Sequence, residues 1–444
     1  MSWSQSGWGA NSWGQTGWES GSGGSWDSIG SSAIYGVSWN EGNSSPVLTR
    51  LGSTAGFAAS ASPGNNNLPV HRLMRRCVMR DDGGIVYYLD QNNSLVKQGG
   101  GASVLDGTDG QVMVEIPLFW YKYSYSGTTH SWWISLNKFS GAERHPAFYK
   151  AGAWVANRYI GAYEGSMWDA TTSAMVSDAD ADTNMYAAGD KLCSVSGYKP
   201  KTYETIVEFR SMAEQRGTGW HQLDWYLWSA VQLLYITEYA NLDAQTTLGT
   251  GNTCYTAYGF DETVANAGLS NADGNVTNSS NTAFNTLAVD GTKTNGVDVF
   301  EYNSYRGIEN WFGSLFKCLD GINIHSSIAN GLRVYVCQDY TAFASDTDTG
   351  YSLITSDLAQ AAGVPITIVP TSHGFLPKTV GGQSYVTYLA DRYETIYTTT
   401  PDAGWRMVII SNAHPNNGAC GPFYMSCYNA SSDTSGHSNT RLAY

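Results

Sequence analysis

The sequence has few charged residues, and acidic residues outnumber basic ones. Asp, Glu, Lys and Arg make up 14% of the 444 residues, and the formal net charge is −14. A chain with so little basic charge can neutralise few phosphates, so the composition argues against a nucleic-acid partner. The same charge balance argues against docking on an anionic lipid surface.

Long apolar runs are also missing. The most apolar stretch, Trp225 to Tyr239, is interrupted by Ser229, Gln232 and Glu238, so we expect no membrane insertion. The first 49 residues contain neither Lys nor Arg, and no apolar segment follows Met1. No secretory signal is therefore predicted, and we expect synthesis in a cytoplasm or export within a larger particle.

The seven cysteines and eight histidines show no spacing typical of a metal site or a disulfide framework. Cys420 and Cys427 are close enough to bridge a hairpin, although buried thiols fit a reducing compartment better. Asp178, Asp180 and Asp182 are spaced like part of a calcium loop but lack the Gly and Glu of an EF-hand, which leaves structural calcium as a weak possibility. GxSxG, HExxH and P-loop motifs are absent, and we expect neither catalysis nor a cofactor.

Residues 1–33 form a low-complexity segment of Ser, Gly, Gln, Asn and Trp. Such a composition cannot build a core, so we expect the segment to be disordered alone. Tryptophans recur in it at regular spacing, which favours an attachment segment that anchors in grooves of a partner over a plain flexible leader. The predicted anchors are Trp3, Trp8, Trp13, Trp18 and Trp26.

Residues 34–105 read as a small β-rich connecting domain. Tyr35 to Trp39 alternates at period two, and the run from Asp81 to Gly84 predicts a hairpin turn. Residues 68–80 have the apolar spacing of a helix. Their four arginines (Arg72, Arg75, Arg76 and Arg80) form the only basic cluster of the sequence and are predicted to be a solvated helix face.

Residues 106–444 predict a larger α+β domain. Residues 111–125 are an aromatic strand, with residues 130–136 as its antiparallel partner. Helices are predicted over residues 203–216, where Thr205 and Glu208 have capping-box spacing, and over residues 224–239, which are apolar nearly all round and hence buried. Residues 249–298 lack hydrophobic periodicity and predict an irregular insertion.

The last forty residues begin as a strand, Trp405 to Ile410, and then become rich in Asn, Ser, Tyr, His and Gly. Tyr supplies rigid amphipathic area and Ser and Asn supply adaptable hydrogen bonds, a mixture that suits a recognition surface. A plain Gly/Ser/Asn-rich surface loop is the alternative. The apolar pair Leu442 and Ala443 near the end favours a terminus that is held in the fold.

Three stretches together carry a resemblance: residues 217–241, residues 306–324, and the terminal segment from Trp405 to Tyr444. They resemble the C-type-lectin-like fold of the formylglycine-generating-enzyme (sulfatase-modifying) type. They are most similar to variable receptor-binding proteins of phages that carry diversity-generating retroelements, and to related tail-fibre proteins. The resemblance covers roughly residues 106–444, apart from the insertion.

The resemblance implies a phage virion protein whose C-terminal segment binds a receptor on the host cell surface, either a glycan or a protein. It implies host adhesion as a homotrimer, attached to other virion or tail proteins through the N-terminus. It also implies scaffold roles for Trp405, Gly418, Gly421, Phe423, Arg441 and Leu442. The implied recognition residues are Asn412, His414, Asn416, Asn417, Tyr424, Ser426, Tyr428, Asn429, Ser431, Ser432 and Asp433.

Two other functions are compatible with the sequence. A purely structural fibre or decoration protein of the virion would also suit an aromatic, weakly charged surface. A formylglycine-generating-like oxidase would use a cysteine pair, but the spacing and surroundings of Cys420 and Cys427 do not match that catalytic motif.

Overall fold

The computed structural model describes residues 30–64, 67–253, 264–279, 301–382, 384–396, 403–412 and 417–444. Of these residues, 34% lie in strands and 12% in helices. The predicted α+β class is therefore wrong, and the fold is mainly β. The prediction overweighted two helical patterns, because short strands separated by turns leave a weaker periodic signal than one long helix.

Three α-helices occur in the described part of the chain: α1 (Ile206–Glu214), α2 (Trp225–Tyr239) and α3 (Ala244–Leu248). Short 3-10 turns span His71–Leu73, Pro146–Phe148, Asn271–Asp273, Tyr340–Ala342 and Asn417–Ala419. The first fourteen strands are β1 (Tyr35–Asn40), β2 (Thr49–Gly52), β3 (Arg75–Met79), β4 (Ile85–Tyr88), β5 (Gln111–Pro117), β6 (Trp120–Ser126), β7 (Thr129–Ser135), β8 (Glu143–Arg144), β9 (Tyr149–Lys150), β10 (Ala153–Trp154), β11 (Asn157–Gly161), β12 (Ser166–Asp169), β13 (Ala174–Met175) and β14 (Lys191–Cys193).

The remaining described strands are shorter on average, and several contain only two residues. They are β15 (His221–Gln222), β16 (Asn278–Ser279), β17 (Asn303–Tyr305), β18 (Ile308–Glu309), β19 (Phe316–Ser327), β20 (Gly331–Val336), β21 (Ser352–Thr355), β22 (Val364–Ile368), β23 (Pro377–Gly381), β24 (Tyr393–Thr395), β25 (Gly404–Ile410), β26 (Met425–Cys427), β27 (Ser438–Asn439) and β28 (Leu442–Ala443).

Three sheets carry most of the fold. A five-stranded sheet has the order β2-β1-β7-β6-β8, and a six-stranded sheet has the order β15-β28-β11-β5-β3-β4. The third has the order β21-β20-β19-β25-β26-β24, and β27 also pairs with β19. The predicted pairing of residues 111–125 with residues 130–136 is confirmed in part, because β6 and β7 are antiparallel neighbours while β5 belongs to another sheet.

Helix α2 lies between sheets and is buried along its whole length, as predicted. It contacts β1 and β7 of the five-stranded sheet and β19 of the third sheet. Its N-terminus is capped by the Asp224 carboxylate, which accepts a hydrogen bond from the Leu227 N–H at 2.9 Å. The capping box predicted for α1 is also present, with Thr205 and Glu208 bonded reciprocally.

Residues 68–80 do not form the predicted helix. After the 3-10 turn His71–Leu73, the chain enters β3, which is flanked by β4 and β5. Pairing with two neighbours satisfies both backbone edges of β3, and side chains on both of its faces are buried: Arg76, Cys77, Val78 and Met79 are each 0% exposed. Arg76 donates to the Gly307 carbonyl and the Ser270 hydroxyl at 2.7 and 2.6 Å, so the predicted solvated helix face is also wrong.

The domain boundary predicted near residue 105 falls between strands that pair with each other in the same sheets. Strand β1 pairs with β7, and β3 pairs with β5, so both sheets that contain the first four strands are completed by later ones. The leader tryptophans and most of the predicted insertion lie outside the described residues. Within the described residues, no helix is long and apolar enough to cross a membrane.

Candidate functional site

The C-terminal segment starts on a strand that is packed on both faces. Strand β25 lies between β19 and β26. Val408 and Ile410 belong to the main core, while Met407 and Ile409 pack in a smaller cluster with Ile206 of α1. Because successive side chains of a strand point to opposite faces, this burial fixes β25 from both sides and gives the following residues a rigid base.

Three of the predicted recognition residues lie inside the protein. Asn412, Tyr424 and Ser426 are only 1%, 1% and 3% exposed. Ser426 lies on β26, whose backbone pairs with β25 on one edge and with β24 on the other, and the Tyr424 hydroxyl donates to Glu394 at 3.0 Å. The prediction that these three lie on a recognition surface is therefore wrong, because their side chains are buried in the fold.

The chain returns to the surface directly after β26. Tyr428 is 55% exposed, Asn429 and Ser431 are half-buried, and Ser432 and Asp433 are exposed. These five residues were predicted as recognition positions, and together with Ala430 they form what we call the C-terminal turn, Tyr428 to Asp433.

Hydrogen bonds hold the C-terminal turn in one conformation. The Asp433 carboxylate accepts from the Ala430 N–H at 3.0 Å and from the Asn429 amide at 3.2 Å. The Ser431 hydroxyl donates to Asp346, which belongs to a separate loop. The Asn429 carbonyl accepts from the Met407 N–H at 3.0 Å, which places the turn beside the first half of β25.

Two residues that were not predicted as recognition positions lie at that end of β25. Trp405 and His325 face each other across β25 and β19, with ring centroids 4.7 Å apart in an edge-on arrangement, and both are half-buried. Burial, and then the nearby Arg333, lower the pKa of His325. The resemblance implied a scaffold role for Trp405. Its contact with His325 becomes visible only once β19 and β25 are paired.

The remaining predicted positions fall at or beyond the edges of the described residues. His414 and Asn416 lie outside the described residues, as do Trp3, Trp8, Trp13, Trp18 and Trp26. Asn417 begins a 3-10 turn, and its side chain is not described.

Cys420 and Cys427 are buried and do not form a disulfide. Burial raises the pKa of the Cys427 thiol and keeps it protonated near neutral pH. Its sulfur lies 3.2 Å from the Tyr393 hydroxyl, which is itself buried. A buried, protonated thiol is a poor nucleophile and a poor metal ligand.

The three aspartates of the calcium-like run each bond to a different protein group. Asp178 accepts from the Asn266 amide, Asp180 from Ser177 and Asp182 from Thr202, at 3.2, 2.6 and 2.8 Å. Among the residues that the structure describes, no cluster of three or more His, Cys, Asp or Glu side chains could hold a metal ion. The arrangement gives the calcium hypothesis no support.

Taken together, the described part of the site is a hydrogen-bonded polar turn with one exposed tyrosine, set beside a Trp–His pair on a buried sheet. Such a surface can bind another molecule. Comparison with known proteins adds no assignment: the chain matches no protein-family model, and no curated protein matches it.

Proposed function

We propose that this chain is a non-enzymatic phage virion protein that binds a receptor on the host cell surface through its C-terminal turn. The resemblance of the terminal segment to variable phage receptor-binding proteins supplies the biological context. The observation that carries the proposal is the contrast between the turn and its base: an exposed Tyr428 among Asn and Ser side chains, held on strands buried on both faces.

The chemistry of the turn supports recognition of a polar surface. Tyr428 offers a large, partly apolar ring, and ordering it on binding costs little because it has only two rotatable side-chain bonds. The hydroxyl of Ser432 and the amide of Asn429 offer hydrogen bonds of adaptable direction. The turn is held in place by Asp433 before any ligand binds, which lowers the ordering cost on association.

One such turn buries too little area for tight binding by itself, because stable interfaces bury about 800 Å² per partner. We therefore propose a homotrimer, in which three weak contacts add through multivalency. The tryptophan-rich segment 1–33 would attach this assembly to other virion proteins. The protein would be made in the host cytoplasm and carried in the virion.

Competition with phage adsorption tests the proposal. Purified full-length protein is added to host cells before phage challenge, beside a variant carrying Tyr428→Ala, Ser432→Ala and Asp433→Ala. The parent should block adsorption and the variant should not. Tyr424 is left unchanged, because truncating a buried tyrosine would destabilise the fold and confuse the result.

The matched control is Tyr125→Ala, which removes another exposed tyrosine, 38% exposed and on β6. This control should block adsorption as the parent does. If neither the parent nor the control blocks adsorption although both are folded, the receptor hypothesis fails. The protein is then better explained as a structural fibre or decoration component of the virion.

A further inference from the structure

The outer face of the five-stranded sheet carries tryptophans and cations. Tyr121 of β6 points into the core and is 3% exposed, so its neighbours Trp120 and Lys122 point to the opposite, outer face. Trp120 pairs directly with Arg144 of β8, and side chains of directly paired residues share a face. Arg144 therefore also lies on the outer face.

Arg144 is held between two indole rings. Its guanidinium carbon lies 5.3 Å from the ring centroid of Trp120 and 5.4 Å from that of Trp154. The ammonium of Lys138 lies 5.4 Å from the Trp120 centroid. Trp154, on the β9–β10 hairpin, is 42% exposed. We call Trp120, Arg144, Trp154 and Lys138 the tryptophan clamp; its residues line a cavity of about 330 Å³.

The cations of the clamp have no carboxylate partner among the described residues. The Nε of Arg144 is buried without a hydrogen-bond partner. Glu143 borders the cavity, but neighbouring side chains of a strand point to opposite faces, so the Glu143 side chain points away from that of Arg144. On that other face its carboxylate interacts with Tyr121 and His373. A guanidinium whose Nε has no partner, a nearby ammonium and a single bordering carboxylate that points to the other face make a site for an anion.

Several arginines elsewhere in this acidic chain are paired with carboxylates. Arg210 is bonded to Asp320 at 2.5 Å, and Arg306 to Glu238 at 2.6 Å. With a net charge of −14, carboxylates are plentiful, yet among the described residues Glu143 is the only one that lines the cavity of the clamp. A ligand can supply the negative charge that Arg144 does not find in a bonded carboxylate of the protein.

We propose that the tryptophan clamp binds an acidic saccharide, a pyranose that carries a carboxylate. The carboxylate pairs with the outward nitrogens of Arg144 and with Lys138, because a guanidinium matches a carboxylate with two parallel hydrogen bonds. The exposed indole of Trp154 packs against the apolar C–H face of the sugar ring. The cavity volume lies at the lower end of the range for small-ligand sites. No residue of the clamp belongs to the C-terminal turn, so this inference stands apart from the proposed receptor site.

Calorimetric titration of the full-length protein tests this site. The probe is a tetramer of galacturonic acid, and the control ligand is the same tetramer with every carboxyl methyl-esterified, which keeps the sugar and removes the charge. The acid should bind with an affinity that falls as NaCl is added, and the ester should bind at least about tenfold more weakly. No binding of the acid, or equal binding of acid and ester, would overturn the proposal.

Variants locate the binding. Arg144→Gln and, separately, Lys138→Ala should each weaken binding of the acid about tenfold. Lys138 is exposed, so its replacement leaves the fold intact even if the loss of Arg144 does not. The matched control is Lys378→Ala, an exposed lysine on β23, which should bind as the parent does. If Lys138→Ala binds like Lys378→Ala, the clamp is not the site.

A third ligand tests the saccharide part of the proposal. A tetramer of glutamate carries the same number of side-chain carboxylates without a sugar ring. The clamp should bind it at least about tenfold more weakly than the acid tetramer, because Trp154 then has no ring face to contact. Equal binding would contradict a saccharide site and leave only a general anion site.

Discussion

Neighbouring parts of the C-terminal segment have opposite surroundings. Residues 420–427 and 438–443 are buried throughout, whereas residues 428–437 are half-buried or exposed. Tyr424 and Tyr428 are four residues apart, yet one is 1% and the other 55% exposed. The difference comes from strand pairing, because β26 is held between β25 and β24 and the chain leaves the sheet after Cys427.

The difference teaches that polar side chains serve two purposes here. In the buried stretches they satisfy backbone groups that the core would otherwise leave unpaired. In the C-terminal turn they bond mainly to each other and leave Tyr428 available to a partner. The contrast predicts that changes to the buried polar groups alter stability, while changes to the turn alter binding.

The largest expected effect is at Arg441. Its guanidinium is fully buried and donates to the backbone carbonyls of Gly161, Ala162, Glu309 and Asn310. Arg441→Leu would leave these carbonyls without a donor and lower the free energy of unfolding by about 4 kcal/mol. Urea denaturation measures the loss. An equal loss for the control Arg80→Leu, at an exposed arginine, would contradict the role of burial.

Buried carboxylates should also make the stability depend on pH. Burial alone would raise the pKa of Glu238, but the charges of Arg306 and His71 and the hydrogen bonds from Arg306 and Ser62 together outweigh it and hold that pKa at about 2. The stabilisation is complete above the ordinary pKa of 4.5 and is lost as the pH falls through about 2. It amounts to roughly 3 kcal/mol.

The expected loss of stability can be followed by urea denaturation at a series of pH values from 5 down to 2. Glu238→Gln should lower stability at pH 5, because Arg306 loses its partner, and should flatten the decline below pH 4.5. A decline as steep as that of the parent would show that other carboxylates dominate.

A smaller effect on stability is expected when the hydroxyl groups of Tyr424 and Tyr428 are removed in turn. Tyr424→Phe removes the hydrogen bond to Glu394 and should lower the free energy of unfolding by about 1 kcal/mol. Tyr428→Phe removes a hydroxyl on the surface and should leave stability unchanged. The two denaturation curves test the comparison directly; a larger loss at Tyr428 would reverse it.

Local signals in the sequence predicted local structure well. Two helices were predicted from neighbouring residues alone: α1 from the capping box at Thr205 and Glu208, and α2 from its apolar run. Both helices are present. The hairpin turn after Met79 is confirmed for the same reason, because Asp82 and the following glycines favour a tight turn.

Structure that depends on distant pairing was not predicted. The apolar spacing of residues 68–80 fits a helix, but Arg75 to Met79 pair with β4 and β5 in a sheet. Tertiary pairing overrides local preference here. The same limit applies to the candidate site. Composition identified the C-terminal segment, whereas the burial of Asn412, Tyr424 and Ser426 and the pairing of Trp405 with His325 follow from strand neighbours that the sequence does not reveal.

Direct binding of the folded protein to host cells tests the central claim most simply. Fluorescently labelled parent and Tyr428→Ala are compared at equal concentration, after thermal unfolding has shown that the two have the same melting temperature. The account predicts that the parent binds the cells and that the variant binds at least about tenfold more weakly, as expected for an exposed aromatic anchor. Equal binding by the two proteins would contradict the claim that the C-terminal turn is the receptor site.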